Sequence, residues 1–174
     1  MTRLGTSGSS YDDGVGPFSP PDRPRREWLS FYARQFDTVE LNVTYYRIPD
    51  RRTVLGWIDR TPSDFVFAVK AFGGLTHERR EPDFAGFVEA IEPLQQAAKL
   101  GCILAQFPFS FGPTAENWAY LEQLKAGLGD HTVVVEFRQR GWVQPATFDR
   151  LTALGLGYCC VDEPRLEGLM PPEA

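Results

Sequence analysis

Residues 36–49 read FDTVELNVTYYRIP, and the fold is decided there. Across residues 38–42 the side chains alternate with the two-residue period of a strand. Val39 and Leu41 take one face, while Glu40 and Asn42 take the other. A carboxylate and an amide therefore stand opposite the aliphatics. Thr44, Tyr45, Tyr46 and Arg47 follow, then the turn-forming pair Pro49-Asp50. A strand of this kind, running into a polar and aromatic loop, predicts one wall of a site.

The arrangement recurs. FVFAVK (65–70), CILAQF (102–107), TVVVEF (132–137) and GYCCVD (157–162) are apolar runs with a polar residue at the last or next-to-last position. Residues 3–7 predict a short first strand entering the small-residue loop 5–10, and the Gly- and Pro-rich stretch 11–24 predicts loop. Helical spacing marks 25–35, 51–60 with Asp50 as cap, 84–100, 115–128 ended by Gly129, and 145–154 with proline in its first turn. Pro93 is expected to kink or divide the third of these.

Six βα-type units of this composition imply a parallel sheet covered by helices. Two architectures compete: an open doubly wound sheet, and a (β/α)8 barrel, which normally takes about 250 residues. The strand faces favour the barrel. One face is apolar throughout, as in Phe65, Phe67 and Val69, or Val133, Val135 and Phe137. The other carries Glu40, Lys70, Gln106, Glu136 and Asp162 toward the carboxyl ends, where barrel enzymes keep their sites. The expected fold is α/β, a TIM-type (β/α)8 topology with about six units present, in one domain over residues 1–174.

Bulk properties narrow the class. A chain of 174 residues can bury a real core, and 43% hydrophobic content is ordinary for a globular protein. A net charge of -5 argues against a non-specific nucleic-acid surface. No apolar run reaches the ~18–20 residues of a membrane span. The opening MTRLGTSGSSYDD lacks a signal-type apolar core. Cys102, Cys159 and Cys160 lie in apolar runs and are expected to be reduced, buried thiols of a cytoplasmic protein.

Six stretches carry a resemblance: LGTSGSSY, FDTVELNVTYYRIP, Trp57 through TPSDFVFAVKAFGGLTH, KLGCILAQFPFSF, VVVEFRQRGW and VDEP. In this order they are similar to the YecE-like proteins, domain of unknown function 72, over almost the whole chain. The resemblance implies a TIM-type barrel, and the family's name assigns no activity. Ser10 and Ser19 stand where such proteins would be expected to have aromatics. Family members continue with two further strands, so this chain is expected to be a truncation, a fragment, or a half that needs a partner. Its first and sixth strands would then be open edges, inviting self-association.

The converging residues define candidate chemistry. Glu40 and Glu136 form an acid/base pair if neighbouring carboxylates push their pKa values apart. Lys70 either orients an anion or, with a lowered pKa, forms a Schiff base. Arg138 suits a carboxylate or phosphate, and Asn42 and Gln106 suit hydroxyls or carbonyls. Tyr45, Tyr46 and Trp142 either wall a ring or pack the loops. His77 and Asp162 complete the substrate-binding set. His131 is a surface residue at the opposite end of its strand.

Against this stands a structural reading, in which the charges form a buried ion-pair network that pins the strands. No metal or cofactor is expected, because the Cys/His spacing fits no zinc site and loop 5–10 lacks the phosphate-loop lysine. The expected function is a metal-independent hydrolase or lyase for a small polar or anionic substrate. Nucleic-acid binding or phosphodiester cleavage is a second reading, and a non-catalytic fragment or subunit a third.

Overall fold

In the computed structural model, residues 2–9, 14, 16–18, 20–162 and 170 are described. Ser10, Ser19 and most of the acidic, proline-rich tail lie outside them. Five strands carry the sheet: β1 (Thr38–Leu41), β2 (Val66–Lys70), β3 (Leu100–Gln106), β4 (Val133–Glu136) and β5 (Leu156–Tyr158). The helices are α1 (Trp28–Tyr32), α2 (Val43–Tyr46), α3 (Arg51–Asp59), α4 (Phe84–Gln96), α5 (Ala115–Leu128) and α6 (Pro145–Leu154). A 3-10 turn, Arg25–Glu27, leads into α1.

Strand order in the sheet is chain order, and the β1/β2, β3/β4 and β4/β5 registers are parallel. Among the described strands the order does not reverse, as it would at the switch point of a doubly wound fold. The fold class is α/β with a five-stranded parallel sheet, and among the described residues that sheet is not closed.

Two compact units make up the chain. One comprises Met1–Lys70 with Glu89–Gly101; the other comprises Ala71–Val88 with Cys102–Ala174.

In the first unit the alternation of β1 and β2 has the predicted outcome. Val39, Leu41, Phe67 and Val69 are buried, while Glu40, Val66, Ala68 and Lys70 are half-buried. The expected strand at 3–7 is reduced to one bridge, Ser7 beside Glu40. Glu40 N–H donates to Thr6 O at 3.1 Å, and Gly8 N–H donates to Glu40 O at 3.0 Å. Gly8 then turns the chain away with φ 87°. This close approach needs Gly5, where a Cβ would fall 2.2 Å from Thr38 O. The Tyr32 hydroxyl fastens the segment, accepting from Thr6 N at 2.7 Å and donating to Thr38 O at 3.0 Å.

The second unit is built on aromatic packing. Phe107, Phe111, Phe137 and Trp142 are all buried, with Phe137 stacked on Trp142 at 4.0 Å and Phe107 on Phe111 at 4.0 Å. The last strand is shorter than the predicted 157–162. Val133 to Val135 of β4 pair with Leu156 to Tyr158, and after Cys159 N–H donates to Val135 O the ladder ends. The cysteines are therefore not buried as expected. Cys160 is exposed beyond the ladder, and Cys102 and Cys159 are half-buried.

Helix boundaries follow local chemistry. Asp50 caps α3, accepting from Thr53 N at 2.7 Å, and those contacts hold its carboxyl below the usual carboxylate range. The helix predicted over 25–35 is a 3-10 turn followed by the five residues of α1. Pro93 does not divide α4, which runs unbroken from Phe84 to Gln96. That helix stops short of residue 100 because Ala98 turns left-handed, φ 55°, and Lys99 N–H returns to Leu94 O at 2.8 Å.

This turn delivers Lys99, 4% exposed, to the end of α3. Its ammonium donates to Ile58 O at 3.0 Å, Thr61 O at 2.8 Å and Thr61 Oγ1 at 2.8 Å. Burial lowers its pKa, opposed by Asp59 and Asp64. Lys99→Met keeps the stem and orphans these acceptors. The expected loss is about 2 kcal/mol of stability, read as a lower urea midpoint with unchanged slope. An unchanged midpoint would mean that the ammonium is not holding the helix end.

Candidate functional site

Thr44, fully buried in α2, organises the carboxyl ends of β1 and β2. Its hydroxyl lies 2.8 Å from Leu41 O and 2.6 Å from Lys70 O, tying the two strand ends together. The sequence pattern predicts loop over residues 43–46. The structure makes it one helical turn, which leaves Tyr46 78% exposed and sets Tyr45 edge-on to it at 5.1 Å. The Lys70 ammonium lies 5.7 Å from the Tyr45 ring centroid, in cation–π range.

Glu40 and Asn42 meet through Ser7. The Ser7 hydroxyl donates to Glu40 Oε1 at 2.9 Å and accepts from Asn42 Nδ2 at 2.9 Å. This relay orients an acceptor carboxylate and an amide side by side, as the alternation of β1 predicts. They border a cavity of about 370 Å³ in the first unit, which Arg25, Tyr46, Trp57 and Arg60 also line. The volume falls in the range of small-molecule sites. Neither arginine is singled out by the sequence, because helical spacing at the 3-10 turn of Arg25 and at the end of α3 beside Arg60 does not say which charged residue turns toward a cavity.

In the second unit Glu136 is nearly buried and ion-paired with Arg138. Arg138 keeps a third of its side chain exposed. Gln106 stands opposite Glu136 in the β3/β4 register. Here the sequence-derived residues are brought together, as a desolvated carboxylate requires.

His77 sits in a single π-helical turn, Gly74–Glu78, with its Nδ1 3.0 Å from Thr76 Oγ1. Arg79 closes that turn in the left-handed region, φ 57°, its N–H donating to Gly74 O at 3.0 Å. Its guanidinium packs over Phe111 and Tyr120 and donates to Asn117 Oδ1 at 3.1 Å. Turns of this type and non-glycine residues at positive φ recur at functional sites.

Asp162 is exposed beyond β5 and, among the described residues, bonds to none of the other candidates. Trp142 is not a ligand wall. It is fully buried, its Nε1 donating to Phe111 O at 2.6 Å. His131 is half-buried, and its carbonyl accepts from the Lys125 ammonium at 3.0 Å. Among the described residues no group of three or more His, Cys, Asp or Glu is placed to hold a metal ion. Among the described residues no helix is long and apolar enough to cross a membrane.

Comparison with known proteins places these features in a lineage. The family model described as protein of unknown function DUF72 matches residues 3–174. The UPF0759 protein YunF of Bacillus subtilis is 33% identical over 98% of this chain, which covers 64% of YunF. YecE of Escherichia coli is 34% identical over 63% of this chain and 41% of its own length. The chain thus spans less than two thirds of both relatives. Among solved structures, a DUF72 protein of Thermotoga maritima superposes with TM-score 0.89 at 38% identity, covering 98% of this chain and 68% of that one. A second, from Enterococcus faecalis, gives 0.85 at 27% identity, covering 98% and 65%.

Two predictions follow from the second unit. Arg138→Ala removes the cation that faces the desolvated Glu136 carboxylate, with an expected loss of about 3 kcal/mol; adding Glu136→Gln should restore much of it. Urea titration of both variants checks this, and equal losses would mean that the pair is not coupled. Burial pushes the Tyr120 hydroxyl up to about 12, against the opposing influence of Arg79. The folded state therefore holds a proton that the unfolded state releases near pH 10. Stability from this group is full below about pH 10 and is lost as pH rises toward 12. Tyr120→Phe should flatten that alkaline decline, measured as urea midpoints at about pH 8 and about pH 11.

Proposed function

The chain belongs to the DUF72 family, and on that premise we propose that it is a metal-independent hydrolase or lyase acting on a small anionic substrate, on a (β/α)8-type plan. Unreversed strand order supports that plan, since a singly wound parallel sheet is the topology of such barrels. One observation carries the functional reading. Glu40, oriented by Ser7, borders a cavity that two arginines also line. A carboxylate beside cations is the arrangement needed to move a proton on an anion held in place.

In this reading Glu40 takes the proton from water or from the substrate and returns it to the leaving group. Asn42, fixed through the same serine, holds a substrate hydroxyl or carbonyl. Lys70, lying against the Tyr45 ring, carries positive charge at the end of β2. In the second unit Arg138 binds an oxyanion with its exposed third, and Glu136 holds that guanidinium in place.

A screen of phosphate esters, glycosides and carboxylic esters, run with and without a chelator, tests the proposal. The expected activity survives chelation and falls at least about 100-fold in Glu40→Gln. Activity that chelation abolishes, or that Glu40→Gln leaves intact, would refute it.

A further inference from the structure

Gly56 lies in the middle of α3, where glycine weakens a helix relative to alanine. Its backbone is ordinary helix, so conformational need does not explain it. Space does. A Cβ built there would fall 2.6 Å from Nη2 of Arg60, 3.6 Å from its Cζ and 3.9 Å from its Nε. One prong of the guanidinium, Nη2, therefore rests over the bare glycine, as residues four apart on a helix can. Trp57, three residues before Arg60, shares its face, and both line the cavity of the first unit.

Arg60 is not committed elsewhere. Arg3, Arg23, Arg138 and Arg150 are ion-paired with Asp37, Glu27, Glu136 and Glu122. Among the described residues the Arg60 guanidinium has neither an ion pair nor a hydrogen-bond partner, while its backbone N–H donates to Ile58 O as the helix cap. An arginine at a helix C-terminus gains a little from the dipole, but that gain gives no reason to leave the space beneath its fork bare. A fork of fixed geometry beside an indole and an exposed tyrosine matches an oxyanion attached to a flat ring. The carboxylate of Glu40 in the same cavity repels an anion, so the charged end of a ligand goes to the arginine and its neutral part toward Glu40.

We infer that this cavity is a seat for a small phosphate or carboxylate carried on an aromatic ring. Arg60 is its cation, Trp57 and Tyr46 are its ring contacts, and Gly56 is a positioning residue that leaves the guanidinium its place. The inference rests on the reading of this cavity as the substrate site and names the class of ligand.

Calorimetry on the full chain tests it, with phenyl phosphate, benzoate and inorganic phosphate as probes. At least one ring-bearing oxyanion should bind, at least about tenfold more tightly than inorganic phosphate. Comparison of phenyl phosphate with benzoate tells which oxyanion is preferred. Arg60→Ala should weaken that binding about tenfold or more. Gly56→Ala should weaken it comparably while its urea midpoint stays level or rises, because only the flexible end of Arg60 must move. Trp57→Leu should remove the advantage of the ring. No heat of binding at about 10 mM probe, or affinity unchanged in both Gly56→Ala and Arg60→Ala, overturns the inference.

Glu40→Gln separates this test from the previous one. Arg60-dependent binding that persists in Glu40→Gln supports the seat even if no hydrolase or lyase activity is found. Activity that depends on Glu40 without Arg60-dependent binding overturns the seat and leaves the hydrolase or lyase reading standing.

Discussion

The carboxyl ends of two parallel strands leave carbonyls that must find donors, and the buried hydroxyl of Thr44 lies between two of them. One hydrogen serves Leu41 O or Lys70 O at a time, so the hydroxyl holds both strand ends by exchange rather than by two permanent bonds. The first unit's site depends on that tie. It starts the turn of α2, turns Tyr46 outward, and sets Tyr45 where the Lys70 ammonium meets its ring. On the other side of β1, Ser7 does the matching work for Glu40 and Asn42. Small hydroxyl side chains thus position the large ionisable ones.

Charge is managed differently in three places. Lys99 is almost fully buried, yet its three donors find acceptors at the end of α3. The carboxylate of Glu136 is desolvated and answered by Arg138. Both follow the rule that buried charge is paired or hydrogen-bonded. Arg60 is exposed and pairs with nothing among the described residues, and the helix beneath it carries a glycine that weakens it. The first two charges hold the fold together. The third is available to a ligand.

Much of the fold was legible because strand and helix periods act locally. Val39 and Leu41 bury and Glu40 does not, since alternation leaves no other assignment once one face is covered. Asp50 could be named as a cap, and Gly129 as a helix end, because those roles need only their near neighbours. Where prediction failed, a partner distant in sequence decided. Residues 3–7 made a bridge rather than a strand because they meet β1 only around Glu40, through Thr6 O and Gly8 N–H. The final strand ends where its pairing with β4 ends, at Tyr158, and Cys160 beyond it is exposed. Trp142 looked as suited to a ligand as to a core until its ring was found stacked on Phe137.

From the sequence alone came the α/β class, the strand faces, the family resemblance and the pairing of ionisable types at strand ends. Each of these rests on short-range periodicity, or on stretches in fixed order, and needs no coordinates. Tertiary structure alone decided that Ser7 joins Glu40 to Asn42, that Glu136 belongs to Arg138, and that Arg60 lies over Gly56 at a cavity. The reason is physical. Hydrogen bonds and ion pairs act over about 3 to 4 Å. Residues 7 and 40 come within that distance only after the chain has folded back on itself.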